Sequence, residues 1–238
     1  MKWSENYLVN NHDLDLNGIA RTSVLMRSMQ ECANAQCRNM GPSNESLREE
    51  GKAFLLSRFA AGFYATVNAY DALTTESWGV ESKGFSFYRC YRILRGSEVV
   101  AEATSVWALV DIASRRPVRV SEYRPGFEYD EMLSLELPTR IVFPQSTSPR
   151  LVKEHVVTYG ETDQNKHMNN TRYVDMLCDC LPMEGKRVSR LSINFLNEAK
   201  YGDTVNIYAL TQKDDTLFRT VRSDGKINIE AHVTLCDV

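Results

Sequence analysis

Apolar residues recur three and four positions apart over one early stretch, where Met26, Met29, Ala33, Cys37 and Met40 share a face of a helix predicted at about 22–38. Thr22 and Ser23 are suited to cap its start. From there to about residue 111 the pattern changes to runs rich in β-branched and aromatic residues: AFLLSRFAAGFYATVNAY, DALTTESWGV, FSFYRCYRIL and EVVAEATSVWALV. Arg95-Gly96-Ser97 supplies a turn between the last two. The first half therefore reads as one helix followed by a run of strands.

Residues 115–150 hold five of the seven prolines, Pro117, Pro125, Pro138, Pro144 and Pro149, which is the punctuation of a linker. After it the first pattern returns. A strand, LVKEHVVTYG, leads to a short helix at about 170–181, then to VSRLSINFLNEA, DTVNIYALTQ, DTLFRTVRSD and KINIEAHVTLCDV, with Asp224-Gly225 fitted to a tight hairpin turn. A shift of 148 lays Asp15 and Asn17 on Asp163 and Asn165, each pair just ahead of its helix, with Ile19 falling on His167. Further on, YDAL at 70–73 lies over GDTV at 202–205, a shift of 132, so the first copy carries about 16 extra residues near its helix end. Two copies of one helix-plus-sheet unit follow, 1–122 and 151–238 joined by 123–150, and the copy that kept the polar set is where chemistry is sought.

Composition narrows the function. In 238 residues, 28 Lys and Arg stand against 31 Asp and Glu, a net charge of −3, too balanced to advertise a nucleic-acid or membrane surface. At 43% hydrophobic residues the chain is a folding one, not a disordered one. The six cysteines form no C-x-x-C pair and do not combine with the four histidines at zinc-site spacing, so reduced, partly buried thiols are expected and no metal. The N-terminus lacks a basic segment followed by an apolar one, and the longest apolar stretch, 59–70, stops at Asp71, short of the roughly 18 residues a membrane helix needs. A cytoplasmic protein is the expectation.

The densest polar cluster is Thr162-Asp163-Gln164-Asn165-Lys166-His167-Met168-Asn169-Asn170, between a strand and a helix start. Alone it would be an ordinary capping loop. A single cap, however, does not need a carboxylate, two amides and an imidazole spaced by twos. In an extended stretch that spacing turns Asp163, Asn165 and His167 to one side, with the N–H groups of a helix start behind them able to hold an oxyanion. Glu198, in INFLNEAKYGD, shares a strand face with Leu196 and points toward packed material if that face is the core; otherwise it is a solvated residue next to a turn. His12, His155 and His232 lack obvious acidic companions and read as structural.

The D-x-N-x-H-x-N-N run at 163–170, the Tyr173 after it and the F-x-x-E of Phe195 to Glu198 resemble the acyl-acyl carrier protein thioesterases of plants and bacteria. Met29-Gln30-Glu31-Cys32-Ala33, Phe54-Leu55-Leu56-Ser57-Arg58, Ala103-Thr104-Ser105-Val106-Trp107 and Ser114-Arg115-Arg116-Pro117 extend the similarity over nearly the whole chain. The resemblance implies an α+β tandem (double) hotdog fold, each long central helix wrapped by an antiparallel sheet, with the acyl-chain pocket in the N-terminal unit and catalysis in the C-terminal one. It also implies an enzyme of lipid metabolism that hydrolyses fatty acyl thioesters of acyl carrier protein without a cofactor. Its catalytic set falls on Asp163, Asn165, His167 and Glu198. Plant members carry a Cys directly after that Glu; here Ala199 stands there, which excludes a Cys-His nucleophile at this position.

Roles follow from chemistry. Asn165 and nearby N–H groups would bind the thioester oxygen as it becomes negative. Glu198 would activate water, His167 would orient or shuttle a proton, and Asp163 either positions its neighbours or attacks the carbonyl itself; the sequence leaves that choice open. Met26, Met29, Met40, Phe59 and Phe63 are candidates to line an acyl slot, with plain core packing as the competing reading. Lys166, Arg172, Arg187, Arg190 and Lys200 are candidates for a basic rim that meets the acidic carrier. Three rivals stand: an acyl-coenzyme A thioesterase, a non-catalytic acyl- or carrier-binding protein, and a hotdog dehydratase. Two fused units reduce the need for the homodimer that a lone hotdog forms, and the oligomeric state stays open.

Overall fold

The structure, a computed structural model, describes all residues except 136, 138, 145 and 146. In the first half, β1 (Trp3–Leu8) leads to α1 (Thr22–Met40), the short α2 (Asn44–Glu49), β2 (Lys52–Phe63), β3 (Ala72–Lys83), β4 (Ser86–Arg95) and β5 (Glu98–Asp111). The second half repeats the plan with β6 (Arg150–Val156), α3 (Arg172–Cys178), β7 (Lys186–Phe195), β8 (Thr204–Gln212), β9 (Asp215–Arg222) and β10 (Ile227–Asp237). The strands form one antiparallel sheet in the order β1-β3-β4-β5-β2-β7-β10-β9-β8-β6, so the second half mirrors the first across the β2–β7 seam, where Arg58 to Gly62 pair with Asn194 to Arg190.

Strand alternation decides which face is covered. Phe59, Ala61, Tyr91, Ile93, Ala103, Leu191, Ile193, Ala231 and Val233 all join one buried cluster with Leu25, Met26, Met29 and Ala33 of α1 and Val174 and Leu177 of α3. Both helices thus pack on the same face, and a single core runs through both halves. Each of these large side chains contributes on the order of 1.5–3 kcal/mol by leaving water.

The two helices are unequal. The 19-residue α1 matches the long apolar stripe, but α3 has seven residues, where a long helix was expected from the resemblance. Beyond Cys178 the chain tightens into three-residue turns, Cys180 N donating to Leu177 O and Leu181 N to Cys178 O, both at 3.0 Å. Pro182 then disfavours helical backbone at Leu181 and ends the helix.

The segment after β5 runs from one edge of the sheet to the other. Tyr123 packs against Phe54 and Phe87 on the helix-bearing face. Gly126 crosses so close to α1 that a Cβ there would lie 1.4 Å from Met40 O. At the sheet edge Asp130 N donates to Gly79 O at 3.0 Å, and Trp78 Nε1 to Glu131 O at 2.8 Å. Leu133 then covers Trp78, Val80 and Cys90 on the outer face. Farther along, the buried Asn194 amide donates to Thr139 O and accepts from Ile141 N, and Phe143 lies 4.3 Å beneath the Arg219 guanidinium. Of the linker prolines, Pro138 lies outside the described residues. Among the described residues no helix is long and apolar enough to cross a membrane.

Candidate active site

The cluster around residue 165 is a tight turn, not the extended strand that spacing by twos suggested. Asp163 N donates to His167 O at 2.9 Å, Lys166 N to Asp163 O at 2.9 Å, and Lys166 adopts a φ of 64° to close the loop. Asp163 Oδ1 accepts from Asn165 N at 2.7 Å, and its Oδ2 from Asn165 Nδ2 at 3.3 Å. The Asp163 carboxylate therefore holds the turn and the Asn165 amide together. His167 Nε2 stands 3.1 Å from Glu198 Oε2. Convergence comes from the turn and from the pairing of Met168 N with Ala199 O at 2.8 Å, which brings the two chain segments side by side.

The Leu196 and Glu198 face is not the core. Glu198 keeps 52% of its side-chain surface exposed and Leu196 is half-exposed, so the glutamate lies at the mouth of a cleft, engaged with His167. Its backbone is pinned from behind: Arg222 donates to Glu198 O at 2.6 Å. Deeper, the fully buried Asn228 donates to the Tyr173 hydroxyl at 3.0 Å and to Asn197 O, and accepts from the Thr220 hydroxyl at 3.0 Å. The segment that carries Glu198 is thereby tied to α3. Helix N–H groups contribute less than expected, because Asn169 Oδ1 already accepts from the N–H and hydroxyl of Thr171 at the start of α3.

The first half repeats the backbone bonds of this turn and the Asn N–H to Asp carboxylate bond. Asp15 N donates to Ile19 O at 2.8 Å, Asn17 N to Asp15 Oδ1 at 2.8 Å, and Gly18, with φ 75°, occupies the place of Lys166. Ala20 N donates to Val67 O as Met168 N does to Ala199 O, which makes Thr66 the counterpart of Glu198 and Ile19 that of His167. Arg95 even donates to Thr66 O at 3.1 Å, as Arg222 does to Glu198 O. The duplicate keeps the Asp15 carboxylate but has neither the imidazole of His167 nor the carboxylate of Glu198. Its Asn17 amide is spent on the other half, donating to Met183 O and Lys186 O and accepting from Gly185 N.

A cleft of about 1550 Å³, including its open mouth, brings together Asp163, Asn165, His167, Glu198 and Tyr173. Of the expected basic rim only Lys200 lines it, joined by Arg115, Arg222 and Lys226. Arg172 instead pairs with Asp175, Arg187 donates to Phe63 O, and neither faces the cleft. These losses have one cause: neighbours in sequence on a strand or helix point in different directions.

A second cavity, about 610 Å³ and partly continuous with solvent, lies in the N-terminal half between α1 and the sheet. Phe54 lines both spaces. Cys37, Phe87, Trp107, Tyr123 and Phe127 form its apolar wall. Arg89 closes one side, donating to Gln36 Oε1 at 2.6 Å and Ser77 Oγ at 2.9 Å. Met26, Met29 and Phe59, expected candidates for an acyl slot, are buried core instead, and Phe63 is buried away from this cavity. The aromatic residues of β2, β4 and β5 were the better signal, since of the helix stripe only Ala33 and Cys37 reach this cavity.

Two histidines read as lacking acidic companions have them: His155 Nε2 lies 2.9 Å from Glu161 and His232 Nε2 lies 2.9 Å from Asp215, both partners coming from separate segments. Burial pushes the Cys32 and Cys178 thiols up to about 12, and no cysteine lines the cleft. Among the described residues no three His, Cys, Asp or Glu side chains gather as a metal site.

Comparison with known proteins supports the same reading. A family model described as the acyl-ACP thioesterase N-terminal domain matches residues 1–124, and one described as the C-terminal domain of that family matches 145–235. The chain is 21% identical over 253 residues to a chloroplastic palmitoyl-acyl carrier protein thioesterase of Gossypium hirsutum, covering 99% of this chain and 60% of that protein, so it spans about three-fifths of that relative's length. Its fold matches the crystal structure of an acyl-ACP thioesterase from Bacteroides thetaiotaomicron with a TM-score of 0.89, at 21% identity, covering 99% of this chain and 98% of the other. It also matches a 12:0-ACP thioesterase from Umbellularia californica with a TM-score of 0.80, at 14% identity, covering 100% and 97%. The architecture is the α+β tandem hotdog.

Proposed function

The chain belongs to the acyl-ACP thioesterase family, and from that premise we propose that it hydrolyses fatty acyl thioesters of acyl carrier protein to the free fatty acid, with chemistry in 151–238 and the acyl chain held by 1–122. The observation that carries the reading is the His167–Glu198 contact at 3.1 Å beside the Asp163–Asn165 turn, all four in one cleft. That set suits water attack on a carbonyl. Glu198 takes a proton from water, whose oxygen adds to the thioester carbon; the carbonyl oxygen becomes an oxyanion and Asn165 Nδ2 donates to it. Collapse breaks the carbon–sulfur bond, and the leaving thiolate takes the proton from Glu198. His167 holds the glutamate in position. Asp163, with both oxygens engaged by Asn165, serves as the positioning group and not as the nucleophile.

The acyl chain would run from the cleft past Phe54 into the aromatic cavity, and Lys200, Arg115 and Lys226 at the mouth are suited to an acidic carrier. The test uses purified protein with acyl-carrier and acyl-coenzyme A thioesters of several chain lengths, with release of free thiol as the signal. Turnover of the carrier thioesters well above that of the coenzyme A esters supports the reading. Equal or greater turnover of the coenzyme A esters replaces the carrier, and no thiol release with either leaves a binding protein.

A further inference from the structure

The catalytic turn is held from across the seam by one side chain of the N-terminal half. Arg48, on α2, donates to Asn165 Oδ1 at 2.8 Å. Among the described residues Arg48 forms no ion pair, although Glu45 lies three residues before it on the same helix. The duplicate turn shows why this contact merits weight. Asn17, the counterpart of Asn165, is also held by the segment that follows the opposite half's helix, there residues 183–186. In both copies, then, the asparagine amide is oriented by the other half. In the first the amide is consumed on both its oxygen and its nitrogen, whereas in the second Arg48 occupies only the oxygen.

We propose that Arg48 is a positioning residue that fixes the Asn165 amide with its nitrogen toward the thioester; the inference rests on the assignment of Asn165 to the oxyanion made above. An amide has one acceptor end and two donors at the other. With Oδ1 held by the guanidinium, one Nδ2 proton goes to Asp163 Oδ2 and the second is left to meet the developing oxyanion. A charged donor on the oxygen also polarises the amide and strengthens its N–H as a donor. Without it the amide can rotate by half a turn and present its oxygen, an acceptor, to a negative charge. Arg48 reaches the turn from a helix whose Asn44 lines the aromatic cavity and whose Leu47 packs beneath Phe54, Phe87 and Tyr123. The group that sets the amide thus stands on the element that borders the acyl cavity.

The experiment is a double-mutant cycle in kcat and KM on carrier thioesters with Arg48→Met, Arg48→Lys, Asn165→Ala and the Arg48→Met/Asn165→Ala pair. Arg48→Met is expected to lower kcat by about 10- to 100-fold with KM little changed, a part of the 10²–10³ that a lost oxyanion donor typically costs. Arg48→Lys, which keeps one charged donor, restores part of the loss. In the Asn165→Ala background Arg48→Met changes kcat by less than about twofold, because the group it orients is gone. Losses that multiply independently, or a loss confined to KM, overturn the inference and make Arg48 a substrate contact. Full turnover by Asn165→Ala overturns the assignment of Asn165 itself, a distinct failure. Both positions are exposed, so thermal unfolding of every variant is expected to match the parent.

Discussion

Asn228 offers the sharpest quantitative test of how the Glu198 segment is held. Its amide is fully buried and joins three partners: it donates to the Tyr173 hydroxyl and to Asn197 O, and accepts from the Thr220 hydroxyl. Leucine fills a similar volume and makes none of these bonds. Asn228→Leu takes the amide donor from the Tyr173 hydroxyl, which keeps only its backbone partner at Ala199, and deprives the buried Thr220 hydroxyl of its acceptor, although Thr220 Oγ1 still accepts from Ile229 N. Three hydrogen bonds are lost, each worth about 0.5–1.5 kcal/mol, so the variant is expected to lose about 2–4 kcal/mol. Equilibrium urea unfolding measures it. Tyr173→Phe removes the phenolic oxygen and supplies the second arm of a cycle: if the two groups bond, the double variant loses less than the sum of the singles by about 1 kcal/mol. Additivity within about 0.4 kcal/mol, or a loss below about 0.5 kcal/mol for Asn228→Leu, refutes the network as a support.

Other outcomes are as definite. Glu198→Gln is expected to lower kcat by about 10²–10⁴ with unchanged unfolding, since its side chain is half exposed; steady-state kinetics on carrier thioesters decides it. Asp13 and Glu161 sit at equivalent places in the two halves. Burial pushes each carboxyl up, but hydrogen bonds to Asp13 from the Tyr7 hydroxyl and Asn10 N, and to Glu161 from the Thr158 N–H and hydroxyl, outweigh it and hold both below the usual range. Their folded pKa values lie below the unfolded ones, so the stability they confer is present above about pH 4–5 and is lost as pH falls through the folded values; Glu161→Gln is expected to flatten the acid limb of the unfolding profile. Small thiol alkylators are expected to leave turnover intact, while a bulky maleimide on Cys37, which lines the aromatic cavity, should inhibit long-chain substrates first; loss of activity with every alkylator, independent of chain length, would contradict a thiol-free mechanism.

Much of this was legible in the chain. The helix stripe, the strand runs, the proline-rich crossing and the Asp-Asn recurrence at a spacing of 148 all have physical counterparts, the last in matching hydrogen bonds at residues 15–19 and 163–167. Direction was not legible. Spacing by twos suggested a strand where Lys166, at positive φ, makes a turn, because nothing in a Lys signals left-handed backbone as Gly18 does in the other copy. Partners distant in sequence were equally hidden: Arg48 to Asn165 spans 117 positions and His232 to Asp215 spans 17, while even the nearby His155 finds Glu161 only once the chain has turned between them. Burial of Met26 and Met29 against exposure of an aromatic slot on the strands is likewise a property of packing, since both sets are apolar.

One polypeptide here contains two copies of the same loop, and only the later copy sets an imidazole against a glutamate. A tight transition-state mimic should therefore titrate at one equivalent per polypeptide, where a symmetric pair of separate subunits would offer two. Under the proposed function the earlier copy takes no part in turnover and answers to a different constraint: Asn17 must keep its grip on residues 183–186, so drift there is limited by docking between the lobes and not by rate.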